Sequence, residues 1–147
     1  MNFHSLPENT SVLVGDESSP RRTVICNLLG EIGITSIMQA AGRSEISTAL
    51  GSDPVDTIML TGCNTQLAIQ ITAEIRASID HAYIPLILVI DHVDGQTAQS
   101  ARDAGVTDFL ARPVTADSLS RVLAKVLPSQ RPGATLHAKQ AAIAELQ

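Results

Sequence analysis

Three places in this sequence carry side chains able to do chemistry together. Asp16 and Glu17 set two carboxylates side by side, directly after the apolar run Val12-Leu13-Val14. Two such groups without a cation repel each other and raise the pKa of one. Thr61 closes a second apolar run, Thr57-Ile58-Met59-Leu60, and offers a hydroxyl. Arg112, just before Pro113, presents a permanently charged, planar fork of donors suited to carboxylates. On that chemistry Arg112 is expected to pair with Asp16 or Glu17. The competing reading is a plain surface arginine.

Other candidates are isolated. His92 stands beside Asp91 after the run Leu86-Ile87-Leu88-Val89-Ile90, where an exposed loop histidine competes with a metal or phosphohistidine role. Cys63 lies near Thr61, but Cys26 and Cys63 have no metal-ligand spacing. Two free thiols in a reducing cytoplasm are expected. His4, His81 and His137 are scattered. Asp56 begins the run that Thr61 ends, so it belongs at the opposite end of a strand. No Gly-rich phosphate loop supports a cofactor-binding enzyme, and neither an enzymatic activity nor a cofactor is expected.

The elements that must position these residues alternate in type. Strands are expected over Val12–Val14, Ile34–Ala40, Asp56–Leu60, Leu86–Ile90 and Val106–Leu110. The first helix is capped by Ser18 or Ser19, has Pro20 near its first position and stops at Gly33. Its apolar residues are Val24, Leu28 and Ile32, with Ile25 and Leu29 beside them. A short helix starts at Ser44, with Ile46, Ala49 and Leu50 inward. A third carries Leu67, Ile71, Ile75 and Ile79 on one face. A polar fourth runs from Asp94 to Ala104. A fifth, capped by Thr115, buries Leu119, Val122, Leu123, Val126 and Leu127. Five strands alternating with five helices imply a parallel sheet covered on both faces. The unbroken apolar run 86–90 suits a strand buried on both sides.

Composition agrees. The 147 residues suffice for one core, 44% are apolar, and with aromatics at 2% that core must be Ile, Leu, Val and Ala. A net charge of −5 argues against a dominant nucleic-acid or anionic-membrane surface. No apolar run approaches the ~20 residues that span a bilayer. Residues 1–9 read as a tail, 10–128 as the domain and 129–147 as a linker with a helix-prone end. In that end Leu136, Ile143 and Leu146 make a narrow apolar seam. A frayed tail, a homodimer-forming helix and a link to an output domain stay open there.

Three segments carry a resemblance to a known family. Residues 16–34, DESSPRRTVICNLLGEIGI, residues 84–90, IPLILVI, and residues 104–119, AGVTDFLARPVTADSL, stand in the order and spacing of a CheY-like response-regulator receiver domain. The resemblance covers Thr10 to Leu127. It implies a flavodoxin-like, doubly wound sheet of order 2-1-3-4-5, for which CheY itself is a standard illustration. It implies that Asp16 and Glu17 match the acids that hold Mg²⁺, and that Thr61 falls where the family carries its phosphorylated aspartate. Ile90 then replaces a hydroxyl residue, Arg112 replaces a lysine, and Phe109 takes the aromatic switch position. The Arg112–Pro113 bond is expected to be cis.

A threonine hydroxyl cannot form an acyl phosphate, and it supplies no third carboxylate to a metal. The resemblance therefore implies an atypical, or pseudo-, receiver with weak or no Mg²⁺ binding. Its partner would be a protein such as a histidine kinase, a phosphotransferase or an output domain. The family's usual recognition face places Gln96, Gln99, Phe109, Ala111 and Val114 at the partner surface. Two other readings stay open: a conventional phosphoacceptor using another residue, and a small-ligand sensor in the altered pocket near Asp16, Thr61 and Arg112.

Overall fold

The computed structural model describes Leu6 and residues 9–62, 64–92 and 94–127. Cys63, His4 and His137 lie outside the described residues, as does the stretch from Pro128 to Gln147 with its apolar seam. Five strands, β1 (Ser11–Gly15), β2 (Ser36–Ala40), β3 (Thr57–Leu60), β4 (Leu86–Ile90) and β5 (Asp108–Ala111), form one parallel sheet of order β2-β1-β3-β4-β5. Five helices connect and cover it: α1 (Ser19–Glu31), α2 (Arg43–Ser52), α3 (Thr65–Ala77), α4 (Gly95–Ala104) and α5 (Ala116–Val126). The α/β architecture and the strand order are those expected from the sequence.

Strand alternation divides the core in two. Leu13, Ile58, Leu60, Leu86, Leu88 and Ile90 face one layer with Ile46, Ile71 and Ala101, contributed by α2, α3 and α4. Val12, Val14, Met59, Ile87, Val89 and Leu110 face the other, against α1 and α5 through Ile25, Leu29, Leu119 and Leu123. All five residues of β4 are buried, as a strand with helices on both sides requires.

Two helix faces differ from expectation. In α1 the buried residues are Ile25 and Leu29, while Val24 is 56% exposed. Two neighbouring i, i+4 rows compete there, and the Pro20 start turns the Ile25 row toward β1. In α3 the buried face is Ala68, Ile71, Thr72 and Ile75. The helix ends before Ile79, which sits in a 3-10 turn, Ile79–His81, and is 90% exposed. His81 ties that turn down through Nε2 to the Leu50 carbonyl and Nδ1 to Ser78 Oγ, both at 3.1 Å.

Strand β5 begins at Asp108 rather than Val106 because Val106 belongs to the close of α4. The Val106 N–H donates to the Ala101 carbonyl and Gly105 takes φ +116°, the left-handed ending that glycine favours. Arg76 of α3 clamps this ending: its Nε and Nη2 donate to the Gly105 carbonyl at 3.0 and 2.9 Å, and its Nη1 to the His81 carbonyl at 3.3 Å. A Cβ on Gly105 would fall 2.5 Å from Arg76 Cγ. Gly105→Ala is thus expected to lose more than about 1 kcal/mol, from backbone strain and the displaced clamp together. Urea denaturation of the variant checks this.

Candidate functional site

The site lies where β1 and β3 end side by side. The register that pairs Gly15 with Leu60 makes Asp16 and Thr61 the next neighbours. The main chain holds them there: the Asp16 N–H donates to the Ala40 carbonyl and the Thr61 N–H to the Gly15 carbonyl, both at 3.0 Å. Ligand sites of open α/β sheets form at this carboxyl edge, where the strand order reverses. Gly15 leaves no room for a side chain beneath it, since a Cβ there would meet Ile46 Cδ1 at 2.9 Å.

The Asp16 carboxylate is fully withdrawn from solvent and accepts four hydrogen bonds. Oδ1 receives the Ser18 N–H at 2.9 Å and Arg21 Nη2 at 2.8 Å. Oδ2 receives Arg21 Nε at 2.8 Å and Thr61 Oγ1 at 2.8 Å. Burial works to raise the Asp16 pKa, but the bonds from Arg21, Ser18 and Thr61 and the Arg21 charge outweigh it and hold the group below its ordinary value of 3.8. Thr61 itself is 1% exposed.

Arg21 reaches Asp16 because of how α1 starts. Ser18 is the N-cap and its hydroxyl accepts from the Arg21 N–H at 3.3 Å; Pro20 pre-shapes the first turn. The fork of Arg21 therefore folds back over the loop it has just left. Arg22 adds a bond from Nη1 to the Asp16 carbonyl and one from Nε to Gln39 Oε1 at 3.2 Å. Neither Arg21 nor Arg22 is among the site residues expected from the sequence. Their spacing from Asp16, with the Ser18–Pro20 helix start between, was the available signal.

The expectation for Arg112 is corrected. Its Nη2 donates to the main-chain carbonyls of Thr61 and Gly62, and its Nη1 pairs with Asp91 Oδ1 at 3.2 Å. Arg112 thus holds the backbone after β3, and the guanidinium on Asp16 is the nearer one, five residues along the chain. The Arg112–Pro113 bond is cis, as the resemblance implied. The expected acidic pair is also divided. Glu17 is exposed while Asp16 is drawn inward, although both line one cavity of about 150 Å³ with Arg21, Leu60 and Ile71.

The remaining candidates lie elsewhere. Ile90 is buried in the apolar layer of α2, α3 and α4, with Phe109 packed against that layer and Arg102 lying 5.2 Å from the Phe109 ring centroid. Gln96, Gln99 and Ala111 are exposed, with Gln99 donating to Asp103 at 2.8 Å. Val114 packs against the opposite, α1–α5 layer and lines a groove with Arg21, Val24 and Arg112. Phe109 and Val114 thus pack against opposite core layers, on the two sides of the edge strand β5. His92 is exposed. Asp56 lies at the far end of β3, its carboxylate accepting the Ser11 N–H at 2.8 Å.

The donor set does not fit a divalent metal. The buried Asp16 oxygens are taken by a guanidinium, a hydroxyl and an amide, and Glu17 is exposed. Among the described residues no three Asp, Glu, His or Cys side chains come together as a metal group. What the arrangement does chemically is neutralise one buried carboxylate with a fixed organic cation.

Two expectations follow. Arg21→Ala leaves Asp16 buried without its cation and is expected to cost about 2–3 kcal/mol, below a fully buried pair because Arg21 is 38% exposed; chemical denaturation measures it. The lowered Asp16 pKa adds stability that is complete above the ordinary carboxylate range and lost as pH falls through the folded value. The melting-temperature gap between the native chain and Asp16→Asn is thus expected to be constant at neutral pH and to narrow below about pH 4.

No protein-family model matches the chain. It is 26% identical over 117 residues to the chemotaxis protein CheY of Pseudomonas aeruginosa, covering 78% of this chain and 94% of that one. Its structure superposes on that of the Vibrio cholerae chemotaxis protein CheY4 with a TM-score of 0.74 at 19% identity, covering 80% and 98% of the two chains. It also superposes on the receiver domain of the Pseudomonas aeruginosa sensor histidine kinase PA1611, whose cleft coordinates a magnesium ion, with a TM-score of 0.69 at 21% identity and coverage of 80% and 97%. Strand order, helix order and these likenesses give the chain the fold of CheY-like response-regulator receiver domains.

Proposed function

We propose that this receiver domain signals without being phosphorylated on an aspartate, as a protein-binding module of a two-component pathway and not as an enzyme. The observation that carries this reading is the Thr61 hydroxyl at the end of β3, hydrogen-bonded at 2.8 Å to Asp16. Thr61 stands where the resemblance expects the acceptor aspartate. An alcohol there yields no aspartyl phosphate, and this one is buried and already engaged as a donor.

The rest of the edge supports the same reading. Arg112 is held on main-chain carbonyls and Asp91, so it is spoken for without a phosphoryl group to neutralise. Ile90 is part of the core and has no hydroxyl to offer an added oxygen. A histidine kinase, a phosphotransferase or an output domain in the cytoplasm is the proposed class of partner. No helix among the described residues is long and apolar enough to cross a membrane.

Two cavities at this edge support a second reading, a small-ligand sensor: one of about 150 Å³ lined by Asp16, Glu17 and Leu60, and one of about 480 Å³ lined by Arg21, Thr61 and Arg112.

Incubation with acetyl phosphate and Mg²⁺, followed by intact-mass analysis, separates the readings. The native chain is expected to gain no phosphoryl mass. A phosphoryl adduct that persists in Thr61→Ala would establish a different acceptor and end the proposal.

A further inference from the structure

The fold is that of a domain that works with a divalent cation, yet this carboxyl edge is crowded with guanidinium groups. Arg21 lies on Asp16, Arg22 on the Asp16 carbonyl and Arg112 on the Thr61 carbonyl. Asp91 pairs with Arg112 and Glu17 stands exposed beside Asp16, so the guanidinium that bears on the buried acid itself is that of Arg21.

The geometry points to Arg21 as a built-in counter-ion that takes the cation's role at Asp16 and closes this pocket to divalent metal. Three features of the chain support it. First, the Arg21 fork meets both carboxylate oxygens at 2.8 Å, the paired geometry that gives guanidinium its preference for carboxylates. Second, Arg21 is delivered by its own helix start, with Ser18 capping and Pro20 shaping the first turn. The contact is therefore intramolecular, with a high effective concentration that a dissolved ion must overcome. Third, Mg²⁺ gives up its water reluctantly and is usually held by one or two carboxylates. Here the one buried carboxylate is already saturated, and Thr61 adds no charge.

The consequence differs from that of Thr61 alone. Replacing the alcohol with an acid is not enough to recover a metal site while Arg21 stays in place. A new carboxylate at position 61 would stand within reach of the same guanidinium and would give it a second anchor. Opening the pocket takes the removal of Arg21 as well. The inference uses the reading of Thr61 given above only to choose the substitution.

The test is titration with Mn²⁺, followed by the electron paramagnetic resonance signal of the free ion, on four proteins: native, Arg21→Gln, Thr61→Asp and the double variant. Circular-dichroism melts establish that each is folded. The double variant is expected to bind Mn²⁺ saturably, at least about tenfold tighter than either single variant, and adding Asp16→Asn to it is expected to abolish the binding. Folded Thr61→Asp that binds as tightly as the double variant would overturn the role of Arg21, and so would a folded double variant that does not bind. Where the double variant does not fold, saturable Mn²⁺ binding by folded Thr61→Asp, which keeps Arg21, overturns the proposal, and the absence of saturable binding upholds it. Saturable binding by the native chain would overturn the counter-ion role directly. Binding confined to the substituted proteins leaves the phosphorylation-independent reading intact whichever way Arg21 falls.

Discussion

Everything at the carboxyl edge depends on how one buried carboxylate is satisfied. Withdrawing the Asp16 charge from water costs several kcal/mol if it is left unpaired. The chain meets that cost locally, with the Ser18 amide, the Arg21 fork and the Thr61 hydroxyl. Each donor comes from a different piece of structure: the β1–α1 loop, the first turn of α1 and the end of β3. The carboxylate therefore acts as a rivet that joins the first crossover to the middle of the sheet.

The remainder of the fold serves to bring those pieces together. Parallel pairing of β1 with β3 fixes the register that makes Asp16 and Thr61 adjacent, and the Ile25–Leu29 face of α1 sets the helix against β1 so that its first turn lies over the edge. On the far side of Thr61, Arg112 holds the following carbonyls from the end of β5. Thr61 is thus gripped by its side chain from one direction and by its main chain from another.

Much of this was legible in the sequence. Apolar runs located β1, β3 and β4, because a parallel strand buried on both faces has no polar alternation to blur it. The edge strands β2 and β5 are partly exposed, and they begin at Ser36 and Asp108 and not at the expected Ile34 and Val106. Thr115 and one of the Ser18–Ser19 pair marked helix starts as capping residues, and the structure has Thr115 and Ser18 in that role. What was not legible was phase and reach. In α1 the rows through Val24 and Ile25 are equally apolar, and only packing against β1 selects between them. Ile79 continued the period of α3 by one more turn than the backbone does. Arg112 was assigned to the acids because its type suits them, but the length of an arginine lets it serve several acceptors. The nearer Arg21 won because its helix start aims it. Glu17 was grouped with Asp16 by adjacency, although neighbours at a strand end diverge.

The most direct measurement is the side-chain ¹⁵N spectrum of Arg21 in the native protein. A guanidinium locked on a buried carboxylate gives an Nε–H resonance that exchanges slowly with water, and the expected result is a protected signal that Mg²⁺ leaves in place. A fast-exchanging Arg21 signal, or one that moves saturably as Mg²⁺ is added, would contradict the account.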